Sequence, residues 1–286
     1  MLKKLSLALS LIVTICFGLS LNASAQAAKT QVITTTDFYG EVAQEVLGSK
    51  GKVTSIINNP STDPHDFEPT TKTAKQVAQA DLVIYNGIGY DSWVKKLNGK
   101  KYLAVASLVG KKDGDNEHIW YDVPAMISLT EKLATYFSKK DAKNADYYQK
   151  NAQAYIKELK QLTTLETNIA KQAKGQKVAV SEPVFDYALT SMEYKVANKH
   201  FAKATEDESD PSYSDIKKLQ TMINKKQIAF FVQNTQSDSK VIDNMAKLCQ
   251  ENDVPIVKVT ETKPKGKTYV QWMTQEFKQV QKIQNN

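Results

Sequence analysis

Apolar and polar positions along the chain fall into two alternating sets with a long helical stripe between them. Residues 31–35 are mostly β-branched and read as a strand, and from Asp37 the apolar residues Phe38, Val42, Val46 and Leu47 return on one helical face ending near Gly48. A second strand is expected at 52–57, a helix at 73–80, an apolar strand at 82–85, and a turn at Gly87-Ile88-Gly89. A short helix around Trp93 and a strand at 102–106 complete the first set. Strands alternating with helices predict a mostly parallel sheet with helices on its faces.

Residues 141–173 contain no proline or glycine, and Tyr148, Ala152, Tyr155, Leu159, Leu162, Leu165 and Ile169 recur at steps of three or four. One continuous helix of roughly 30 residues, on the order of 45 Å long, follows from that spacing. A coiled coil is the other reading of such a stripe. A second α/β set follows at once, however, so a single helix linking two lobes accounts for more.

The second set opens with a strand at 177–181, then Glu182-Pro183-Val184-Phe185 and a helix towards Met192. A short strand at 194–197, an acidic loop at 206–211 and a helix at 214–225 capped by Ser214 come next. An apolar strand at 228–232, a helix at 239–252, a strand at 256–259 and a last helix at 268–282 close the chain. The predicted fold class is α/β. Two lobes, 30–138 and 177–286, each a mostly parallel sheet flanked by helices, are joined by one long rigid helix at 141–174.

The amino terminus changes the picture of where this fold works. Lys3 and Lys4, an apolar run over 5–21 and Ala23-Ser24-Ala25 read as a secretory signal peptide over 1–25. The expected location is periplasmic or at the cell surface. Ile15 is bulky for a lipidation motif and the run beyond Cys16 stays apolar, so simple cleavage without a lipid anchor at Cys16 is expected. Cys249 then remains alone, which excludes an internal disulfide and a thiolate zinc cluster. Any metal must be held by imidazole and carboxylate. The formal charge is +7, or +5 without Lys3 and Lys4, and there is no arginine among the 38 basic residues. Without guanidinium forks for bases and phosphates, no nucleic-acid partner is expected.

Candidate chemistry concentrates at loops that leave strands, where open parallel sheets form their binding crevice. The stretch Asp63-Pro64-His65-Asp66-Phe67-Glu68-Pro69-Thr70 holds an imidazole between two prolines that stiffen the backbone. Asp115-Asn116-Glu117-His118-Ile119-Trp120-Tyr121-Asp122 places a second imidazole just before a helix that opens at Pro124. In the second set Glu182 and Glu261 each stand directly past a strand. His65, His118, Glu182 and Glu261 are therefore the candidate metal ligands, a nitrogen and oxygen set suited to Zn²⁺, Mn²⁺ or Fe²⁺. Asp66, Glu68 and Asp122 are expected to orient the histidines, and Trp120 to keep water from His118. His200, with no motif around it, is expected at the surface or in packing. Cys249, on a helical face with Met245 and Leu248, is expected in the core.

The two histidine motifs, the long helix, Ser181-Glu182-Pro183 and Thr260-Glu261-Thr262 together resemble the manganese- and zinc-capturing solute-binding proteins of bacterial ABC importers. The similarity spans about Thr30 to Gln284. In that family an aspartate commonly follows the last strand as fourth ligand, and here the place is taken by Glu261. The resemblance implies one divalent ion per chain, Mn²⁺ or Zn²⁺, as transported ligand. It also implies a membrane ABC permease with a cytoplasmic ATPase as partner, a monomeric protein and no enzymatic activity. A secreted metallohydrolase built on the same His and Glu residues, or a surface adhesin, is the alternative.

Overall fold

The computed structural model describes residues 29–285; the predicted signal peptide and Cys16 lie outside the described residues. In the first lobe, strands β1 (Thr30–Thr36), β2 (Gly51–Ile57), β3 (Leu82–Tyr85) and β4 (Tyr102–Ala104) form a parallel sheet in the order β2-β1-β3-β4. Helices α1 (Asp37–Leu47), α2 (Thr71–Gln79) and the short α3 (Val105–Leu108) connect or follow them. The second lobe repeats the plan. Its strands β5 (Lys177–Val180), β6 (Lys195–Val196), β7 (Phe231–Asn234) and β8 (Ile256–Val259) are parallel in the order β6-β5-β7-β8.

Between the sheets run α4 (Val123–Lys140) and α5 (Ala145–Ala173). After β5 come α6 (Asp186–Ser191), α7 (Lys199–Glu206), α8 (Tyr213–Asn224), α9 (Lys240–Glu251) and α10 (Tyr269–Gln284). The apolar stripe of α5 is buried as the spacing predicts, from Tyr148 through Tyr155, Leu159 and Leu162 to Ile169 and Ala173. One core cluster runs from Val32 and Phe38 in the first lobe, along α5, to Phe230, Trp272 and Val280 in the second. The lobes therefore share packing, which resists large relative rotation.

Four local expectations are corrected. The expected acidic loop begins as helix: α7 was not foreseen, and its buried Phe201, Ala202 and Thr205 draw it onto the second lobe. The strand expected at 228–232 is paired only from Phe231, which aligns with Ala179 and Ile256. Ile228 and Phe230 are apolar because they are buried, not because they are in the ladder. The strand at 102–106 gives way to α3 after Ala104. Ser212, in extended backbone, caps α8 in place of Ser214 and accepts from the Asp215 N–H at 3.2 Å.

Both carboxyl edges carry long connections. In each sheet the chain reverses its direction of travel beside the first strand, which opens a crevice there. Residues from those edges meet across one cleft.

Candidate metal centre

The loop after β2 brings His65 to the cleft on a stiff mount. Pro64 O accepts from the buried Trp93 indole N–H at 3.1 Å, and Asp63 Oδ1 accepts from the His65 backbone N–H at 2.8 Å. Phe67 packs on Trp93 with ring centroids 4.7 Å apart. The His65 ring meets the edge of the buried Tyr90 ring at 5.0 Å, and its Nε2 lies 3.2 Å from Glu117 Oε1. That hydrogen bond to Glu117, working against burial, raises the imidazole to about 9.

His118 is held differently. Its residue is 1% exposed and precedes a 3-10 turn, Ile119–Tyr121. Asn116 Oδ1 accepts from the His118 backbone N–H at 2.9 Å and lies 2.8 Å from His118 Nδ1, while Asn116 Nδ2 donates to Pro183 O at 2.7 Å. The donation to Pro183 fixes which end of the amide is oxygen. Nδ1 must then carry the proton, and Nε2 keeps its lone pair for the cleft. Burial pushes the imidazole down to about 3, so the ring stays neutral over the physiological range. Trp120, fully buried, stands 5.1 Å from it ring to ring and closes that side to water.

The second lobe supplies carboxylates. Glu182 follows β5, and its Oε2 accepts from Asn234 Nδ2 at 2.7 Å. Asn234, at the end of β7, also donates its backbone N–H to Ser181 Oγ at 2.9 Å. Glu206 ends α7, which is tied to the β5 edge by the Thr205 hydroxyl donating to Ser181 O. Its Oε1 is 3.7 Å from His118 Nε2. Glu261 follows β8 at the back of the cleft beside the Tyr90 hydroxyl. Its Oε1 and the Tyr90 hydroxyl are both buried without a well-formed hydrogen bond.

Burial pushes Glu261 up to about 7. Burial, followed by repulsion from Glu117 and Glu261, pushes Glu206 up to about 9. Glu117 goes the other way: burial would raise it, but the hydrogen bond from His65 brings it below the ordinary range. Burial and the neighbouring Glu117 carboxylate thus both favour the neutral form of Glu206. The result is a polar chain from His65 through Glu117 and Glu206 to His118.

These groups line a cleft of about 780 Å³ in which carboxylates greatly outnumber the one lysine, Lys203. An acidic cleft in a basic protein draws cations inward. A buried carboxylate oxygen without a donor, a neutral imidazole with a free lone pair and protons that an ion would displace fit a divalent cation. His65, Glu182 and Glu261 line the cleft and His118 borders it, though not as one convergent set. Among the described residues, three ligating atoms lie within 4.8 Å of one another only at Asp63, Asp66 and Glu208, exposed at the cleft.

Of the supporting residues, Trp120 packs against His118 as expected, whereas Asp66, Glu68 and Asp122 make no hydrogen bond to either imidazole. The partners are Asn116 for His118 and Glu117 for His65. Three side chains that contact the imidazoles thus escaped the sequence reading: Asn116, Glu117 and Glu206. The first two were inside a motif already singled out. Glu206 sat in a run of acidic residues that looks like a solvated loop. His200 is exposed on α7, and Cys249 is buried in the second lobe, where burial pushes its thiol up to about 12.

Known proteins resemble this chain over most of its length. A metal ABC transporter substrate-binding lipoprotein of Streptococcus parasanguinis is 28% identical over 281 residues, covering 89% of this chain and 88% of that protein. A manganese ABC transporter substrate-binding lipoprotein of Streptococcus mitis is 28% identical over 271 residues, covering 87% of this chain and 85% of its own. Two solved structures share the fold. The periplasmic zinc binding protein of Treponema pallidum superposes with a TM-score of 0.73 at 18% identity, over 90% of this chain and 99% of that one. A substrate-binding protein of Pseudomonas aeruginosa in complex with Mn²⁺ has a TM-score of 0.73 at 20% identity, over 90% and 99%. The family model described as zinc-uptake complex component A, periplasmic, matches residues 32–283, and the chain belongs to that family.

Proposed function

We propose that this protein captures one divalent transition metal ion, Mn²⁺ or Zn²⁺, in the cleft between its lobes and delivers it to an ABC permease for uptake. The observation that carries the reading is the meeting of two imidazoles from the first lobe with carboxylates from the second across one acidic cleft. The ion is substrate, and the protein does no chemistry on it. His65 and His118 bind from one side, Glu206 and Glu261 from the other. Glu182, already engaged by Asn234, braces the site and yields its expected ligand role to Glu206.

Binding from both lobes stabilises the closed form. Gln236 Nε2 donates to Pro60 O at 2.5 Å and Thr262 Oγ1 donates to the same oxygen at 2.8 Å, so the second lobe already grips the loop that carries His65. With the core continuous along α5, release rests on loop movement and not on wide hinge opening. Tyr213 is the large apolar side chain left widely exposed among the described residues, in keeping with a monomer that docks transiently on its permease. The partner permease is powered by a cytoplasmic ATPase. Nothing in the site favours the hydrolase or the adhesin.

The protein works outside the cytoplasmic membrane. Among the described residues no helix is long and apolar enough to cross a membrane. Relatives named as lipoproteins count against the expectation that Cys16 carries no lipid. An intact mass of the protein from its native envelope decides between cleavage after Ala25 and a lipid on Cys16.

The ligand assignment is tested by elemental analysis and competition titration of Glu206→Gln beside Glu182→Gln. Glu206→Gln is expected to lose the bound ion, and Glu182→Gln to keep it with affinity lowered by about tenfold to a hundredfold. The opposite ranking returns the ligand role to Glu182.

A further inference from the structure

We propose that Glu117 is a fifth donor to the captured ion and biases the site towards Mn²⁺ over Zn²⁺, an inference that rests on the metal-capture reading above. Its Oε1 is 3.2 Å from His65 Nε2, and its side chain lines the same cleft as Glu206. It thus reaches a ligand of the first lobe in the cleft that a ligand of the second also lines. Its backbone is pinned, because Glu117 O accepts from Asn86 Nδ2 at 2.9 Å and from the Ile119 N–H at 2.7 Å. Gly89 lies beside the carboxylate, where a Cβ would sit 3.4 Å from Glu117 Oε2, in ordinary contact. An ion held by both His65 and Glu206 lies within reach of this carboxylate in the same cleft.

Coordination chemistry gives this placement its consequence. Two imidazoles and two carboxylates complete a tetrahedron, the geometry Zn²⁺ takes in closed protein sites. A third carboxylate raises the coordination number and the share of hard oxygen donors, which suits Mn²⁺ better. Raw affinity favours Zn²⁺ at any such site, so selectivity has to come from geometry and donor type. A group that only balanced the charge of His65 would act on both ions alike, and Glu117 is expected not to.

The test measures Mn²⁺ and Zn²⁺ affinities by competition with a chromophoric chelator for the full chain, Glu117→Ala and Glu117→Gln. The visible spectrum of the Co²⁺-loaded proteins reports coordination number. Both variants are expected to lose about tenfold or more in Mn²⁺ affinity with Zn²⁺ affinity nearly unchanged. Their Co²⁺ bands should intensify as coordination falls to four. Gln keeps the volume of Glu, so agreement between the two variants excludes a packing effect. Equal losses for both ions, or unchanged Mn²⁺ affinity with an unchanged Co²⁺ spectrum, overturn the proposal. If the unsubstituted protein binds neither ion, the metal-capture reading itself fails. Binding by that protein with the same Mn²⁺ to Zn²⁺ ratio in both variants sinks only the role of Glu117.

Discussion

The two lobes have the same strand order, yet they bring different chemistry to the cleft. Both present carboxylates, Glu117 from the first and Glu182, Glu206 and Glu261 from the second, but both imidazoles that meet them come from the first lobe. Topology puts a crevice at the carboxyl edge of each sheet, and the loops filling that edge decide what the crevice does. The groups are also prepared in opposite ways. His118 waits neutral, with its tautomer set by Asn116, whereas His65, Glu206 and Glu261 are all held with raised pKa values. The first is ready for an ion and the other three give up protons to take it.

Removing the prepared imidazole should have the largest effect. A four-ligand zinc ion gains roughly 10 kcal/mol or more, so His118→Ala, which deletes one ligand, is expected to weaken Mn²⁺ and Zn²⁺ binding by about a hundredfold or more. Isothermal titration of the variant checks this, and an affinity close to that of the unsubstituted protein would break the contrast.

Proton competition should come next. His65 and Glu206 sit at about 9 and Glu261 at about 7, so at neutral pH an ion has to displace protons from them. His118, at about 3, contributes none. Affinity therefore rises with pH up to about 9, and each displaced proton costs about tenfold per unit, on the order of a hundredfold between pH 8 and pH 6 for every proton given up. Titrations across that range measure the slope, and a flat profile would mean that His65, Glu206 and Glu261 are not proton-loaded.

A smaller loss is expected at the brace behind His118. Asn116→Ala frees the tautomer and cuts the bridge to Pro183, and should weaken binding by about tenfold to a hundredfold without deleting a ligand. Nitrogen chemical shifts of the His118 ring report the tautomer directly.

The smallest effect lies at the seam between the lobes and is read in stability. Glu166 occupies the buried face of α5, with Oε1 unpartnered and Asp122 as a like-charged neighbour. Burial, then repulsion from Asp122, raises it to about 8 from its ordinary 4.5. Between those values the folded state keeps a proton that the unfolded state loses, so stability falls as pH rises through that window. Glu166→Gln removes the penalty and should stabilise the protein by on the order of 2 kcal/mol at pH 7, with little gain at pH 4. Denaturant titrations at the two pH values provide the comparison.

Periodicity made most of the architecture readable. The spacing of Tyr148 to Ile169 gave the long helix, and the alternating sets gave two parallel sheets. It failed where a short element is held by its neighbours: α7 has too few apolar positions to announce itself, so Glu206 was read as part of a loop. Leu165 and Glu166 mark another limit. The spacing assigns the buried place to Leu165, yet Glu166 is the more buried of the two, because the helix turns its face between two packing partners.

By itself, the sequence determined that the chain is an α/β protein in two sets around one helix, and that any metal must be bound by His and carboxylate. Those properties depend on local spacing and on which side chains exist at all. Only the tertiary structure decided which carboxylate faces His118, which atom sets its tautomer, and that Glu117 reaches His65 in the cleft that Glu206 also lines. Those relations join residues far apart in the chain. A helix end displaced by one turn, about 5.4 Å, exchanges one carboxylate for another. Local preference does not encode a distance of that kind; the packing of α7 onto the β5 edge does.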